Sequence, residues 1–166
     1  MQALEIAQRI IRDSNFLTLA TTDGEQPWAN AVFYASDKDL NLYFTSYNDS
    51  IHVQNILRNP SVAVAIYDSS INVGGSNSQG VQIKGKCYRV SKGELPDAIE
   101  IVYAKRFPDP AERASRDLSV ERFSKDDRKK RIDHIYKVIP EKVYILDKTP
   151  GIKDTRLEVD FKPGNT

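Results

Sequence analysis

The chain has 166 residues, 40% of them hydrophobic and 28% charged, which predicts one ordinary globular domain and excludes a disordered chain. The formal net charge of +1 gives no global field toward nucleic acid or an acidic membrane, so neither is an expected partner. The single cysteine, Cys87, excludes an internal disulfide and fits a reducing compartment. No long apolar run or leader is visible, so we expect a soluble, untargeted cytoplasmic protein. His52, His134 and Cys87 do not form a metal-ligand pattern.

The first part of the chain predicts a helix followed by strands. Residues 2–13 carry apolar side chains at helical spacing. Residues 16–22 form a short apolar run with β-branched members, which predicts a strand buried on both faces. Residues 28–36 and 40–45 predict two more strands, and the tight turns between these three strands favour an antiparallel meander.

The stretch from residue 40 to residue 60 predicts a strand, a polar turn and a short helix that Pro60 ends. The start of such a helix presents free backbone N–H groups that, together with the helix dipole, can hold a phosphate. Hydroxyl donors and one imidazole lie beside it, at Thr45, Ser46, Ser50 and His52. The plainer interpretation is that these residues only cap the helix.

The second half predicts strands at 61–67, 81–90 and 134–147, with the last one broken or bulged at Pro140, and a helix at 94–107. The 81–90 strand alternates, with Val81, Ile83 and Cys87 toward the core and Gln82, Lys84 and Lys86 away from it. His134, at a strand start, is read as a surface residue.

Two further segments are polar or charged. The glycines of the 69–80 loop do not fit a dinucleotide fingerprint. Residues 111–133 predict a charged helix with an exposed face, and the basic run 128–131 is balanced by neighbouring aspartates, so it is read as a solvated face. About six strands with helices between and after them predict a β-barrel or α+β architecture, with one domain over 1–150 and a tail over 151–166.

Several motifs, taken in order and spacing, resemble the pyridoxamine 5'-phosphate oxidase-like, FMN-binding split-barrel family, and in particular a small, poorly characterised bacterial branch of it. The stretches that carry the resemblance are FLTLATTDG at 16–24, PWANAVFY at 27–34, LYFTS at 42–46, SIHVQNILRNP at 50–60 with SVAVAI after it, GVQIKG at 80–85, Tyr103 with Arg106-Phe107-Pro108, and IYKVIPEKVYILD at 135–147. The resemblance covers about residues 1–150 and implies a six-stranded antiparallel split β-barrel with flanking helices.

The resemblance also implies a homodimer with two FMN sites at the subunit interface. The second strand would line the flavin ring, the end of the third strand and the next helix would hold the phosphate, and the partner's fifth strand would approach the flavin. The implied cofactor-binding residues are Ala29, Asn30, Ala31, Val32, Phe33, Tyr34, Thr45, Ser46, Ser50, His52, Gln79 and Gln82.

The chain departs from the better-known oxidases of that family at two places. They carry an Arg-Lys pair where this chain has Ile51-His52, and an arginine where it has Ala29. A neutral histidine holds a dianion less firmly than lysine does, so FMN binding is expected to be weaker, pH-dependent or lost. Residues 147–166 do not match the segment that grips pyridoxal phosphate, so pyridoxamine phosphate is not the expected substrate.

Three functions follow from this resemblance. The first is a flavin-dependent oxidoreductase, in which the flavin carries the chemistry and the protein orients it. The second is a non-enzymatic flavin or haem binder for storage, sensing or sequestration, with His134 as the candidate axial ligand of a haem. The third is a dimeric scaffold whose cofactor site has decayed, which only His52 supports.

Overall fold

Most of the described chain lies in one antiparallel sheet with helices packed around it. The structure is a computed structural model and describes residues 3–67, 80–126, 131–146 and 155–161. The helices are α1 (Ala3–Asp13), α2 (Ile51–Arg58), α3 (Leu95–Arg106), α4 (Pro110–Ala114) and α5 (Val120–Ser124). The strands are β1 (Phe16–Thr22), β2 (Pro27–Phe33), β3 (Ala35–Ser36), β4 (Leu42–Tyr47), β5 (Ser61–Tyr67), β6 (Gly80–Arg89), β7 (Asp133–Leu146) and β8 (Arg156–Glu158).

The sheet curls into an open barrel. Its strand order is β2-β1-β5-β6-β7-β4-β3, with β8 added to β7. The two ends of this order, β2 and β3, are consecutive in the chain and separated only by Tyr34, so the two edges of the sheet lie next to each other. This architecture confirms the predicted mainly β fold with flanking helices and an antiparallel split barrel. The described chain has eight strands rather than six.

Two strand predictions are corrected. The predicted second strand, 28–36, is interrupted at Tyr34, whose side chain is fully buried and whose hydroxyl donates a 2.7 Å hydrogen bond to the carbonyl of Ile11. The Tyr34 amide donates to the carbonyl of Asn15, so this residue is tied to the end of α1 and the strand turns a corner there. The predicted meander holds only in part, because β1 pairs with β2 and β3 pairs with β4 at Ala35 and Ser36, whereas the rest of the second predicted strand does not pair with β4, which pairs with β7 instead.

Which faces of the strands are buried depends on where the helices cover the sheet. Strand β1 alternates, with Leu17, Leu19 and Thr21 buried and Ala20 exposed, so the predicted burial on both faces is wrong. Strand β6 alternates as predicted, with Val81, Ile83 and Cys87 inward. Where no described helix covers the outer face of β1 and β5, that face carries small side chains, among them Ala20, Ala63 and Ala65.

The predicted irregularity at Pro140 is a bulge. Lys84 pairs with Lys142 while Gly85 pairs with Pro140, so β7 carries one extra residue, Glu141, between these pairs. The strands are so close at this point that a Cβ on Gly85 would lie 2.4 Å from the carbonyl oxygen of Ile139. Glycine is therefore required at position 85 by close approach of the backbone.

Two apolar clusters hold the helices in place. The larger fills the inside of the barrel, where it is closed by α1 and α2, and the smaller lies between the outer face of β4 and β7 and helices α3 and α5. The predicted helices at 50–58 and 94–107 are confirmed. The described part of the charged 111–133 segment forms two short helices, α4 and α5, and the basic run at 128–131 and the 69–80 loop lie almost wholly outside the described residues. Within the described ranges, no helix has the length and apolar character needed to cross a membrane.

Candidate functional site

A cleft of 510 Å³ lies at the split in the barrel. One wall is Asn30–Phe33 of β2, and the opposite wall is Thr45–Tyr47 of β4. Among the described residues, no strand pairs with the outer edge of β2, and β3 pairs with β4 only at Leu42 and Tyr43. Both walls are therefore strand edges whose backbone N–H and C=O groups are not used in the sheet. Such edges offer a bound molecule hydrogen bonds along its length.

Hydroxyl groups and an imidazole meet at the β4 end of the cleft. The Ser46 Oγ lies 2.7 Å from the Nε2 of His52 and 2.9 Å from the Oγ of Ser50. The Ser50 Oγ also lies 3.4 Å from the same imidazole nitrogen and donates a 2.7 Å hydrogen bond to the carbonyl of Tyr47. The strand-turn-helix therefore brings together three of the four side chains that the sequence placed at a phosphate site.

Ser50 stands at the N-cap position of α2, yet its side chain makes no capping hydrogen bond to the helix amides. Its hydroxyl is used instead in the turn, toward Tyr47. The cap-only interpretation therefore does not describe Ser50. The first turn of α2 keeps amides that this serine does not satisfy, and the positive end of the helix dipole lies there.

His52 is buried, with 6% of its surface exposed, and the Phe44 ring lies at 6.2 Å from it. Burial lowers the pKa of His52 below its ordinary value because a charged imidazole loses its hydration there. At neutral pH the side chain is therefore uncharged and acts in the site as a hydrogen-bonding group.

Cations line the other side of the cleft, on residues that sequence reasoning did not assign to the site. Arg106 packs near the rings of Phe33 and Phe107, with its guanidinium carbon 5.6 and 5.9 Å from the two ring centres. Arg116 stacks 3.7 Å over the Phe107 ring and pairs with Glu112, and Arg122 pairs with Asp133 at 2.8 Å. The cleft lining thus contains three arginines and one aspartate, Asp133. The stretch Tyr103 to Pro108 had been singled out by resemblance, but the charged 111–133 segment gave no local signal that two of its arginines turn inward.

The remaining predicted residues lie around the cleft or away from it. Asn30, Ala31, Val32, Phe33, Thr45, Ser46 and His52 line it, and Ser50 stands behind Ser46. Ala29 is exposed on β2, outside the lining, and the Tyr34 side chain is in the core. Gln82 lies on the outer face of β6, where its Oε1 accepts a 2.8 Å hydrogen bond from Arg156, and Gln79 lies outside the described residues.

His134, predicted to be a surface residue, is instead buried. It is 3% exposed, and its Nδ1 lies 3.0 Å from the carbonyl of Phe123. It pairs in register with Ser46 but does not line the cleft. Burial lowers its pKa, so it too is neutral at pH 7. This position gives it no open route to a ligand in the cleft.

Comparison with known proteins places this architecture in a family. The chain matches the sequence profile of the pyridoxamine 5'-phosphate oxidase family over residues 4–146. The chain belongs to the pyridoxamine 5'-phosphate oxidase family. Among the proteins that are similar in sequence is the UPF0306 protein plu4501 of Photorhabdus laumondii, which is 28% identical over 105 residues. This match covers 63% of this chain and 71% of that protein.

Solved structures share the fold of this family member. A heme binding protein from Mycobacterium smegmatis superposes with a TM-score of 0.68 at 20% identity, covering 96% of this chain and 58% of that one. An FAD-binding protein from Mesorhizobium loti superposes with a TM-score of 0.59 at 16% identity, covering 87% and 94%. These similarities establish the split-barrel fold, and the chain spans little more than half of the mycobacterial protein.

Proposed function

We propose that this member of the pyridoxamine 5'-phosphate oxidase family binds FMN in the split of its barrel and serves as a flavin-dependent oxidoreductase. The observation that carries the proposal is the juxtaposition of two open strand edges with a hydroxyl-rich helix start at one end of the same cleft. A flavin mononucleotide has the matching parts, namely a flat ring with a polar edge and a terminal phosphate. The relatives' fold and the mesorhizobial FAD-binding protein support a flavin as the ligand class.

The phosphate fits the β4 end of the cleft. Thr45 and Ser46 supply hydroxyl donors, and the first turn of α2 supplies amides with the helix dipole behind them. A phosphate carries about −1.5 to −2 charges at neutral pH, so it also needs cations within range. Three arginines line the same cleft, where position 52 holds a neutral histidine rather than a lysine, and two of them, Arg116 and Arg122, are also paired with Glu112 and Asp133.

The ring fits against the outer edge of β2. Backbone groups of Asn30–Val32 would meet its polar edge, and Phe33, Tyr103 and Phe107 offer apolar contacts nearby. When bound, the flavin supplies hydride or electron transfer, and the chain supplies orientation and partial exclusion of water. The imidazole in the lining is buried, uncharged and hydrogen-bonded to Ser46, so we assign no general base to the chain.

We further propose that two copies of the chain associate, as the family resemblance implies. Strand β2 is open to solvent, with Trp28 40% exposed, and the outer face of β1 and β5 carries small side chains beside a second hollow of 540 Å³ that Gln82 and Lys84 of β6 also line. Gln82 lies on that face, and the family resemblance implies that it would approach a partner's flavin from there. Light scattering of the purified protein tests this, and a monomer at micromolar concentration would reject it.

A non-enzymatic flavin binder is the second candidate, because we assign no general base among the described cleft residues. His134, the candidate axial ligand of a haem, is buried and does not line the cleft. Reduction separates the two flavin functions: bleaching of the bound flavin by NADH or NADPH, followed by reoxidation with an acceptor, supports the oxidoreductase. Flavin that stays oxidised with every donor supports storage, and a Soret band after addition of hemin would restore the haem alternative.

The binding test compares FMN with riboflavin, which lacks the phosphate. We expect the wild-type protein to retain FMN through desalting and to bind riboflavin at least tenfold more weakly, because one charge-assisted hydrogen bond is worth about 1.5–3 kcal/mol. Arg106→Ala should reduce the difference in affinity between FMN and riboflavin. Arg12→Ala, which removes an exposed arginine on α1, is the matched control and should leave it unchanged. Equal affinity for FMN and riboflavin in the wild-type protein would refute the phosphate site.

A further inference from the structure

The hydrogen bonds at the β4 end of the cleft run in one direction. The Ser50 hydroxyl donates its hydrogen bond to the carbonyl of Tyr47. The 2.9 Å contact between the two serine oxygens then needs a proton that only Ser46 can supply. With the Ser46 proton used in this way, the 2.7 Å contact between Ser46 and the Nε2 of His52 requires the imidazole to donate. Only the order His52, Ser46, Ser50, Tyr47 carbonyl gives every short contact its own hydrogen.

This direction determines what each group can offer to an anion. The Ser46 oxygen is held from one side by the His52 N–H, while its own proton is free to turn from Ser50 to a ligand. We propose that His52 is a neutral positioning residue, which holds the Ser46 hydroxyl as the direct donor to the phosphate of FMN. This inference rests on the proposed function and gives the neutral imidazole a role that does not depend on the charge a lysine would carry.

The surroundings of the imidazole agree with an uncharged role. It is buried against the Phe44 ring, and burial is what lowers its pKa. The charged groups that line the cleft from β7, α3 and the α4–α5 region are Asp133, Arg106, Arg116 and Arg122, and the other titratable groups of the lining beside His52 are Tyr103 and Tyr47 of β4. With three arginines present, the site does not depend on His52 for its positive charge.

Glutamine and asparagine substitutions separate positioning from charge. The Nε2 of glutamine reaches nearly the same place as the Nε2 of histidine and can donate to Ser46, whereas asparagine is too short to do so. We expect His52→Gln to keep FMN affinity within about threefold of wild type. His52→Asn and Ser46→Ala should each lose roughly tenfold to a hundredfold, the range of one charge-assisted hydrogen bond. Riboflavin affinity should not follow these changes, because riboflavin has no phosphate.

Two measurements distinguish this positioning role from a merely structural one. They are the energetic coupling between His52 and Ser46, and the pH dependence of FMN affinity. Because His52 acts through Ser46, the double variant Ser46→Ala/His52→Asn should bind FMN no more weakly than Ser46→Ala alone. The ratio of wild-type to His52→Gln affinity should also stay constant between pH 6 and pH 8, a comparison in which the titration of the phosphate cancels. A ratio that grows as the pH falls, or additive losses in the double variant, would show that His52 acts as a cation and would overturn the inference.

Nuclear magnetic resonance of the free protein tests the premise without any substitution. Long-range proton-nitrogen correlations at neutral pH should show His52 as the neutral tautomer with the proton on Nε2. A proton on Nδ1 alone, or a charged ring, would overturn the inference while leaving FMN binding intact. Failure of the wild-type protein to bind either flavin would instead reject the proposed function, and this inference with it.

Discussion

Substitution of Gly85 by alanine tests the packing of the barrel at its tightest point. The added Cβ would lie 2.4 Å from the carbonyl oxygen of Ile139, 3.2 Å from its carbonyl carbon and 3.3 Å from the Cα of Pro140. All three are backbone atoms, so no side-chain rotation relieves the overlap, and β6 and β7 must separate next to their bulge. Overpacking of a core costs about 1–3 kcal/mol, and each ladder hydrogen bond lost with it about 1 kcal/mol. We therefore expect a loss of roughly 3–5 kcal/mol, which is a large fraction of the usual 5–15 kcal/mol.

Urea unfolding followed by circular dichroism measures this loss, and a thermal scan should show a drop of about 10 °C, since a domain of this size shifts by roughly 2–4 °C per kcal/mol. The matched control is Gly93→Ala. A Cβ on Gly93 meets nothing within 4 Å, so that variant should be unchanged or more stable by up to about 1 kcal/mol. Equal stability of the two alanine variants would refute the close approach of β6 and β7.

Two further predictions concern buried polar groups. Tyr34→Phe should lower the free energy of unfolding by about 1–3 kcal/mol in a urea titration, because the buried carbonyl of Ile11 loses its hydroxyl donor, and an unchanged midpoint would argue against the corner at Tyr34. Burial lowers the pKa of both His52 and His134 below the ordinary 6.5, so the unfolded chain binds more protons than the native one under mildly acidic conditions. Stability should therefore be full above pH 6.5 and fall as the pH drops below it. His134→Asn, whose amide can still donate to the carbonyl of Phe123, should lose less stability between pH 7 and pH 5 than the wild type, and a steeper loss would contradict the assignment.

Local patterns in the sequence predicted the elements far better than their pairing. The alternation of β6, helix α2 and the bulge at Pro140 are each set by a few neighbouring residues, and the structure has them as predicted. The pairing of β4 with β7 joins residues about 90 positions apart, and no turn signal specifies it. The break in the second strand was also invisible, because Tyr34 leaves its strand through contacts with α1 rather than through a glycine or proline.

The candidate site likewise combines features that local sequence patterns predict with features that depend on long-range packing. Ser46, Ser50 and His52 lie within one strand-turn-helix, so their meeting follows from short-range geometry. Arg116 and Arg122 come from a charged segment that reads as a solvated face, and only the packing of α3 and α5 on β4 and β7 turns them toward the cleft. The burial of His134 likewise depends on α5, which covers the start of β7. The positive charge of the site therefore depends on tertiary packing, which local sequence patterns do not reveal.

The open barrel and the site have a common cause. A fully closed barrel would pair the outer edge of β2 with β4 and leave neither edge available, whereas the corner at Tyr34 sends the chain across to β3 and leaves Asn30–Phe33 and Thr45–Tyr47 facing each other unpaired. Exposed strand edges invite pairing with other chains unless something covers them. Side chains of α3, of the connection between α3 and α5, and of α5 line the gap with charged and aromatic groups, and we propose that they leave room for a flat, anionic molecule. The split therefore leaves two strand edges unpaired and creates a cleft in the described chain where hydroxyls, amides and arginines converge.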